Sequence, residues 1–185
     1  ISIDTRRVSV AEKALKAGAD MVNDISALQD DPGLARFVAE RQVPVVLMHK
    51  RGSPKDMQNN PYYEDTVLEI KSELSESIKA ALKAGIDPHR IIIDPGIGFG
   101  KRLEDNLIIL KYLKKFKELG FRLLVGLSRK SFLGKILADR PVEGRLSGSL
   151  AANAWALLAG ADIIRTHDVA ETVDLVKVIR AIQSA

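Results

Sequence analysis

The residues of this chain that could do chemistry sit at the ends of short apolar runs. In order, these runs end in Asp4, in Asn23-Asp24, in His49, in Asp94, in Gly126 followed by Ser128-Arg129-Lys130, and in Arg165 with His167 behind it. In parallel α/β proteins the strand C-termini converge on one rim, where sites are built. Six polar clusters far apart in sequence are thus placed to face one cavity. Arg165-Thr166-His167-Asp168 sets a guanidinium beside an imidazole, a natural pair for a diphosphate oxygen. Backbone amides opening the next helix would add to it. Ser128-Arg129-Lys130-Ser131-Phe132 gathers two cations and two hydroxyls at one strand end. Pro95-Gly96-Ile97-Gly98-Phe99-Gly100-Lys101 is glycine-rich but has neither the dinucleotide nor the P-loop spacing. Its glycines would instead let the backbone approach a flat ligand, with Phe99 available to stack on it. Each residue singly has an ordinary role: Asp4 as a helix cap, Asp24 on a loop amide, Asp94 before Pro95 as a turn. His49 and His89 carry little weight, and Met48 reads as core. The joint placement is what points to a site.

The elements that must position these residues alternate. Runs rich in Val, Ile and Leu at residues 1–4, 21–24, 43–49, 90–94, 122–126 and 162–166 read as strands covered on both faces. Between them lie amphipathic helices. Asp31-Pro32 supplies a cap and an N-terminal proline for one. Residues 63–84 place Val67, Ile70, Leu74, Ile78 and Leu82 on one stripe. Ala17-Gly18-Ala19-Asp20, Ala84-Gly85-Ile86-Asp87 and Ala159-Gly160-Ala161-Asp162 form a weak repeat that closes a helix before a strand. With a last helix over 170–183, six strands and their crossovers predict an α/β protein. Periodicity alone leaves two architectures open: an open doubly wound sheet, and a (β/α)₈ barrel of TIM type with strands missing.

Composition narrows the class. The 185 residues suit one domain, are 46% hydrophobic and 28% charged, and have a mean hydropathy of -0.01. No apolar run approaches the roughly 20 residues that span a bilayer. Cysteine is absent, so disulfides and thiolate metal sites are excluded. The net charge of +4 suits anionic ligands, but the basic residues are interspersed with acidic ones and aromatics are only 5%, which speaks against a nucleic-acid surface.

Six motifs in order now carry a resemblance: Ser2-Ile3-Asp4-Thr5, Val22-Asn23-Asp24-Ile25-Ser26, Val46-Leu47-Met48-His49-Lys50-Arg51-Gly52, Ile93-Asp94-Pro95-Gly96-Ile97-Gly98-Phe99-Gly100-Lys101, Val125-Gly126-Leu127-Ser128-Arg129-Lys130-Ser131-Phe132 and Arg165-Thr166-His167-Asp168-Val169. The chain resembles the dihydropteroate synthase family over its whole length, most specifically in the fourth and fifth motifs. The resemblance implies a (β/α)₈ barrel with about six βα units present. It implies a transferase of folate biosynthesis that joins a pterin diphosphate to p-aminobenzoate, uses Mg²⁺, is a sulfonamide target, and works as a cytoplasmic homodimer without nucleic acid or membrane. Asp94 would then hold the pterin edge, Asn23 and Asp4 the other heteroatoms, and Lys130 the carbonyl side. Ile25, Met48, Phe99 and Gly126 would wall the pocket. Arg165 and His167 would grip the diphosphate, with Ser128 among the substrate-binding residues. Ser131 and Lys130 would lie near p-aminobenzoate. Asp4, Lys130, Arg165 and His167 would carry the catalysis.

The resemblance also implies two earlier strands, one bearing an Asn that helps hold the metal, so no metal ligand is expected within the present residues. The start at Ile1-Ser2-Ile3-Asp4 reads as a buried strand, and an N-terminal extension on the order of 60–90 residues is expected, at about 30–40 per βα unit. Residues 1–185 would be one pterin-binding barrel domain, truncated at its N-terminus. Two other readings stay open: a methyltetrahydrofolate:corrinoid methyltransferase-like barrel, which lacks the Ser-Arg-Lys-Ser-Phe string, and a module that binds pterin without turnover.

Overall fold

Short Val/Ile/Leu runs alternate with helix-forming segments, and the backbone follows that alternation. The computed structural model describes residues 1–52, 57 and 59–185. Its elements are β1 (Ser2–Asp4), α1 (Val8–Lys16), β2 (Met21–Asp24), α2 (Leu34–Arg41), β3 (Val45–Met48), α3 (Thr66–Lys83), β4 (Ile91–Asp94), α4 (Leu103–Lys111), α5 (Lys114–Lys117), β5 (Arg122–Gly126), α6 (Ser131–Ile136), α7 (Leu146–Leu158), β6 (Ile163–Arg165) and α8 (Val169–Gln183). The glycines of the repeat, Gly18, Gly85 and Gly160, take φ of +99°, +91° and +98°. They close helices as their spacing predicts.

Two helix starts lie later than expected. α2 begins at Leu34 rather than beside Pro32, while the Asp31 carboxylate still caps the turn by accepting from the amides of Gly33 (3.1 Å) and Val8 (3.0 Å), which ties the α1 start to it. α3 begins at Thr66, where Asp65 caps the amides of Val67 (3.1 Å) and Leu68 (2.9 Å). Val67, Ile70, Leu74 and Ile78 of its stripe are buried, but Leu82 is 39% exposed and Ala81 takes the inward place.

All six strands are parallel and neighbour one another in chain order, β1 to β6. That order separates the two architectures. The main core joins strand residues Val22, Val45, Leu47, Ile91, Ile93, Leu123 and Val125 to residues of the helices, whereas the second core, Val46, Ile92 and Leu124 with Met21 and Ile163, contains strand residues alone. A doubly wound sheet would carry helices on both faces. Here one face carries them and the other is the inside of a curl. The curl is directly measurable, since Asp4 at the end of β1 accepts a 2.7 Å hydrogen bond from Arg165 at the end of β6. A flat six-stranded sheet would hold those strands about 24 Å apart, at about 4.8 Å per step. The chain is therefore an incomplete (β/α)₈-type barrel. Among the described residues no helix is long and apolar enough to cross a membrane.

Candidate functional site

Strand parity decides which polar residues meet. Side chains alternate between the faces of a strand, so the inward row below the rim is Met21, Val46, Ile92, Leu124 and Ile163. The row above it is Asp4, Asn23, Met48, Asp94, Gly126 and Arg165. Asp4 pairs with Asn23, Met48 with Asp94, and Gly126 with Arg165. Between these pairs the register steps by two residues, since Asn23 pairs with Val46 and Ile93 with Leu123. This is the stagger that a closing barrel requires.

The upper row lines a cleft of about 290 Å³ together with Thr5, Arg6, Ile25, Phe99 and Lys130. Nine of the residues proposed from sequence therefore share one cavity. Asn23 donates to the Asp4 carboxylate, which Arg165 holds from the far side. Asp94 is 7% exposed and accepts from the Gly96 amide at 2.7 Å. Burial pushes its carboxyl up, while Lys130, the Gly96 amide, Lys101 and Arg165 pull it back in part. Lys130 donates to the Ile97 carbonyl and lies 4.8 Å from the Phe99 ring centroid. Burial lowers its pKa to about 8 against the pull of Asp94.

Three proposed residues do not line this cleft. Ser128 is buried, and its hydroxyl takes the His167 amide at 3.2 Å and pairs with its Nδ1 at 3.0 Å, which docks the segment after β6 onto the β5 end. His167 is thereby held beside the rim rather than in the cavity. Ser131 is exposed on the first turn of α6. Asp24 points to the helix side and holds the Ser26 and Leu28 amides, both at 2.7 Å.

Sequence reasoning missed Thr5 and Arg6, whose only signal is adjacency to Asp4. It also missed a buried polar group behind the cleft. His49 is 4% exposed, with Nε2 at 2.9 Å from a Glu73 oxygen and Nδ1 at 2.9 Å from Lys101 Nζ. Burial holds the His49 pKa down to about 4, and the bond from His49 brings Glu73 to about 2. The folded His49 pKa thus lies below the unfolded value of about 6.5. Its stabilising contribution is complete above pH 6.5 and is lost as pH falls toward 4, on the order of 3 kcal/mol in total. We expect the melting temperature to drop between pH 6.5 and 4.5, and His49→Gln to flatten that limb. Parallel curves for the two proteins would refute the assignment.

Comparison with known proteins adds the context. Residues 1–167 match the family model described as pterin binding enzyme. The chain is 46% identical over 182 residues to the dihydropteroate synthase of Synechocystis sp., covering 98% of this chain and 63% of that protein. A dihydropteroate synthase of Yersinia pestis solved with a sulfonamide drug complex superposes with a TM-score of 0.96 at 41% identity, covering 100% of this chain and 66% of that one. One from Xanthomonas albilineans, solved with 7,8-dihydropteroate, gives 0.93 at 44% identity, covering 100% and 69%. The chain thus spans just under two thirds of the length of the curated relatives it matches.

Proposed function

This chain belongs to the family of pterin-binding enzymes, and on that premise we propose that its cleft serves a dihydropteroate synthase, joining 6-hydroxymethyl-7,8-dihydropterin diphosphate to p-aminobenzoate to give 7,8-dihydropteroate and diphosphate. One observation carries this reading. The inward residues of all six strand ends, with Phe99 and Lys130, line a single cleft that brings two carboxylates, Asp4 and Asp94, together with the cations Arg6, Lys130 and Arg165.

In this reading the Asp94 carboxylate accepts from the amino group and adjacent N–H of the pterin. Asn23 and Asp4 bond the other heteroatom edge, and Lys130 meets the carbonyl. Ile25, Met48, Phe99 and Gly126 exclude water from the ring faces. The C–O bond from the pterin methylene to diphosphate breaks, and its electron pair leaves with the diphosphate. The conjugated ring spreads the resulting positive charge, which the Asp4 carboxylate favours, while Arg165 and His167 hold the departing anion. The aniline nitrogen of p-aminobenzoate then forms the C–N bond and releases a proton to solvent. By the family resemblance Lys130 meets p-aminobenzoate from within the cleft and Ser131 from outside its lining, and Ser128 acts by orienting His167.

Mg²⁺ belongs to the expectation from family resemblance. Among the described residues no group of three or more His, Asp or Glu converges to hold a metal ion. These residues do not fit a Mg²⁺ site by themselves, and no step above passes through one. Homodimer formation through the α8 stripe of Val173, Val176 and Ile179, of which Val173 is 44% exposed, and a cytoplasmic setting complete the proposal.

Calorimetric titration with pterin-6-carboxylic acid, run beside a diphosphate-release assay, tests it. We expect one pterin site and diphosphate release from the pterin diphosphate that depends on p-aminobenzoate. No pterin heat, or release indifferent to p-aminobenzoate, would overturn it.

A further inference from the structure

The polar groups that this chemistry leaves unused form one circuit beneath the glycine-rich loop, from the buried Lys101 and His49 out to Glu73 and Arg51 nearer the surface. Lys101, at the loop's end, is 3% exposed and turns its ammonium back under the loop. Nζ lies 3.0 Å from the Phe99 carbonyl and 2.9 Å from His49 Nδ1. The Glu73 carboxylate only accepts, so the proton of the neutral imidazole must sit on Nε2 and Nδ1 must accept from Lys101. There the Glu73 carboxylate accepts it at 2.9 Å. A single tautomer satisfies both ends. Arg51 takes the other Glu73 oxygen, reaches Glu69 at 3.0 Å and lies 3.9 Å over the Tyr63 ring. Tyr63 donates to the Gly100 carbonyl at 2.8 Å, which returns the circuit to the loop.

We propose that Lys101, itself held by His49 and Glu73, is a positioning residue that keeps residues 95–100 in the conformation that forms one wall of the cleft. The loop's two sides make the case. Its upper side carries Phe99 into the cleft, next to Asp94 and Lys130. On its lower side the Phe99 carbonyl is held by Lys101 and the Gly100 carbonyl by Tyr63. The Asp94 carbonyl accepts from the His49 amide at 2.9 Å, so the loop's base is anchored to the same residue as its end. Burying an ammonium is costly, and the bonds to His49 Nδ1 and to the Phe99 carbonyl are what offset that cost. Burial lowers the Lys101 pKa to about 7, which is the mark of that cost. What the amino group supplies and a methionine would not is a directed bond to one loop carbonyl.

The consequence for ligand binding rests on the pterin reading above, while the loop geometry does not. The test uses the whole chain with Lys101→Met, and His49→Gln as a second variant that cuts the circuit but leaves the Lys101 bond to Phe99. Hydrogen exchange at residues 96–100, thermal melting, and titration with pterin-6-carboxylic acid are read together. For Lys101→Met we expect loop exchange at least about tenfold faster, a pterin Kd about tenfold higher, and a melting temperature lowered by the buried His49 Nδ1 left without its donor. His49→Gln should move exchange and Kd the same way by a smaller factor. Unchanged loop exchange in both variants overturns the proposal, as does faster exchange with an unchanged Kd. A wild-type chain that binds no pterin sinks the function proposed above instead, and the exchange measurement then decides the positioning claim by itself.

Discussion

Asp94→Asn is expected to raise the Kd for a pterin by about two to three orders of magnitude while leaving the fold intact. The substitution preserves shape and removes only the second acceptor oxygen and the charge. One Asp94 oxygen already accepts from the Gly96 amide at 2.7 Å, so the rest of the carboxylate is what the cleft offers a ligand. A pterin edge presents two donors side by side. An asparagine there must turn its NH₂ either toward the Gly96 amide or toward the ligand, and both set donor against donor. Hydrogen bonds to a charged group contribute about 1.5–3 kcal/mol each, so weakening two costs roughly 3–5 kcal/mol, at about 1.4 kcal/mol per decade of affinity. The pH dependence supplies an independent check. Burial raises the Asp94 pKa, and only the carboxylate accepts both bonds, so wild-type affinity should fall as pH falls through that raised value. Asp94→Asn should lack this limb. A variant Kd within fivefold of wild type would remove Asp94 from the ligand edge.

How much of this site was legible follows from strand parity. That six runs end in polar residues is plain from the sequence, and the family motifs named nine of the residues lining the cleft. The face each side chain takes was not legible. Asn23 and Asp24 are adjacent, polar and both buried in a run with no alternation, because both faces of the strand are covered. Only the pairing of Asp4 with Asn23 and of Asp24 with Leu47 sends one into the cleft and the other to the helices. The same parity explains His49. It follows the inward Met48, so it turns outward and finds Glu73 on α3, 24 residues away, and Lys101, 52 residues away. No local pattern encodes partners at those separations. Ser131 and Ser128 show the converse: two hydroxyls in one motif, of which one is exposed at a helix start and the other buried against His167. The barrel itself was undecided by periodicity, since helices on one face or on both give the same alternation along the chain.

Gly96→Ala should destabilise the chain by roughly 3–5 kcal/mol, a loss large enough to need a specific steric cause. Gly96 adopts φ +68°, and a Cβ there would lie 1.8 Å from the His49 carbonyl oxygen and 3.0 Å from its carbon. The left-handed conformation alone costs an alanine about 1–2 kcal/mol. Overpacking adds about 1–3 kcal/mol or more, and here the obstacle is backbone rather than the end of a flexible side chain. His49 cannot yield easily, since its amide is bonded to Asp94 and its ring to Lys101 and Glu73. Gly18→Ala is the matched control. Gly18 has φ +99° with nothing within 4 Å of its would-be Cβ, so it carries the conformational cost without the clash. Urea unfolding of both variants separates the two contributions, and Gly100→Ala should follow Gly96→Ala, because its Cβ would meet the Arg51 carbonyl oxygen at 2.1 Å. Equal losses at Gly18 and Gly96 would mean that the loop does not lie against the His49–Arg51 backbone. The wall of the cleft would then have to be built in some other way.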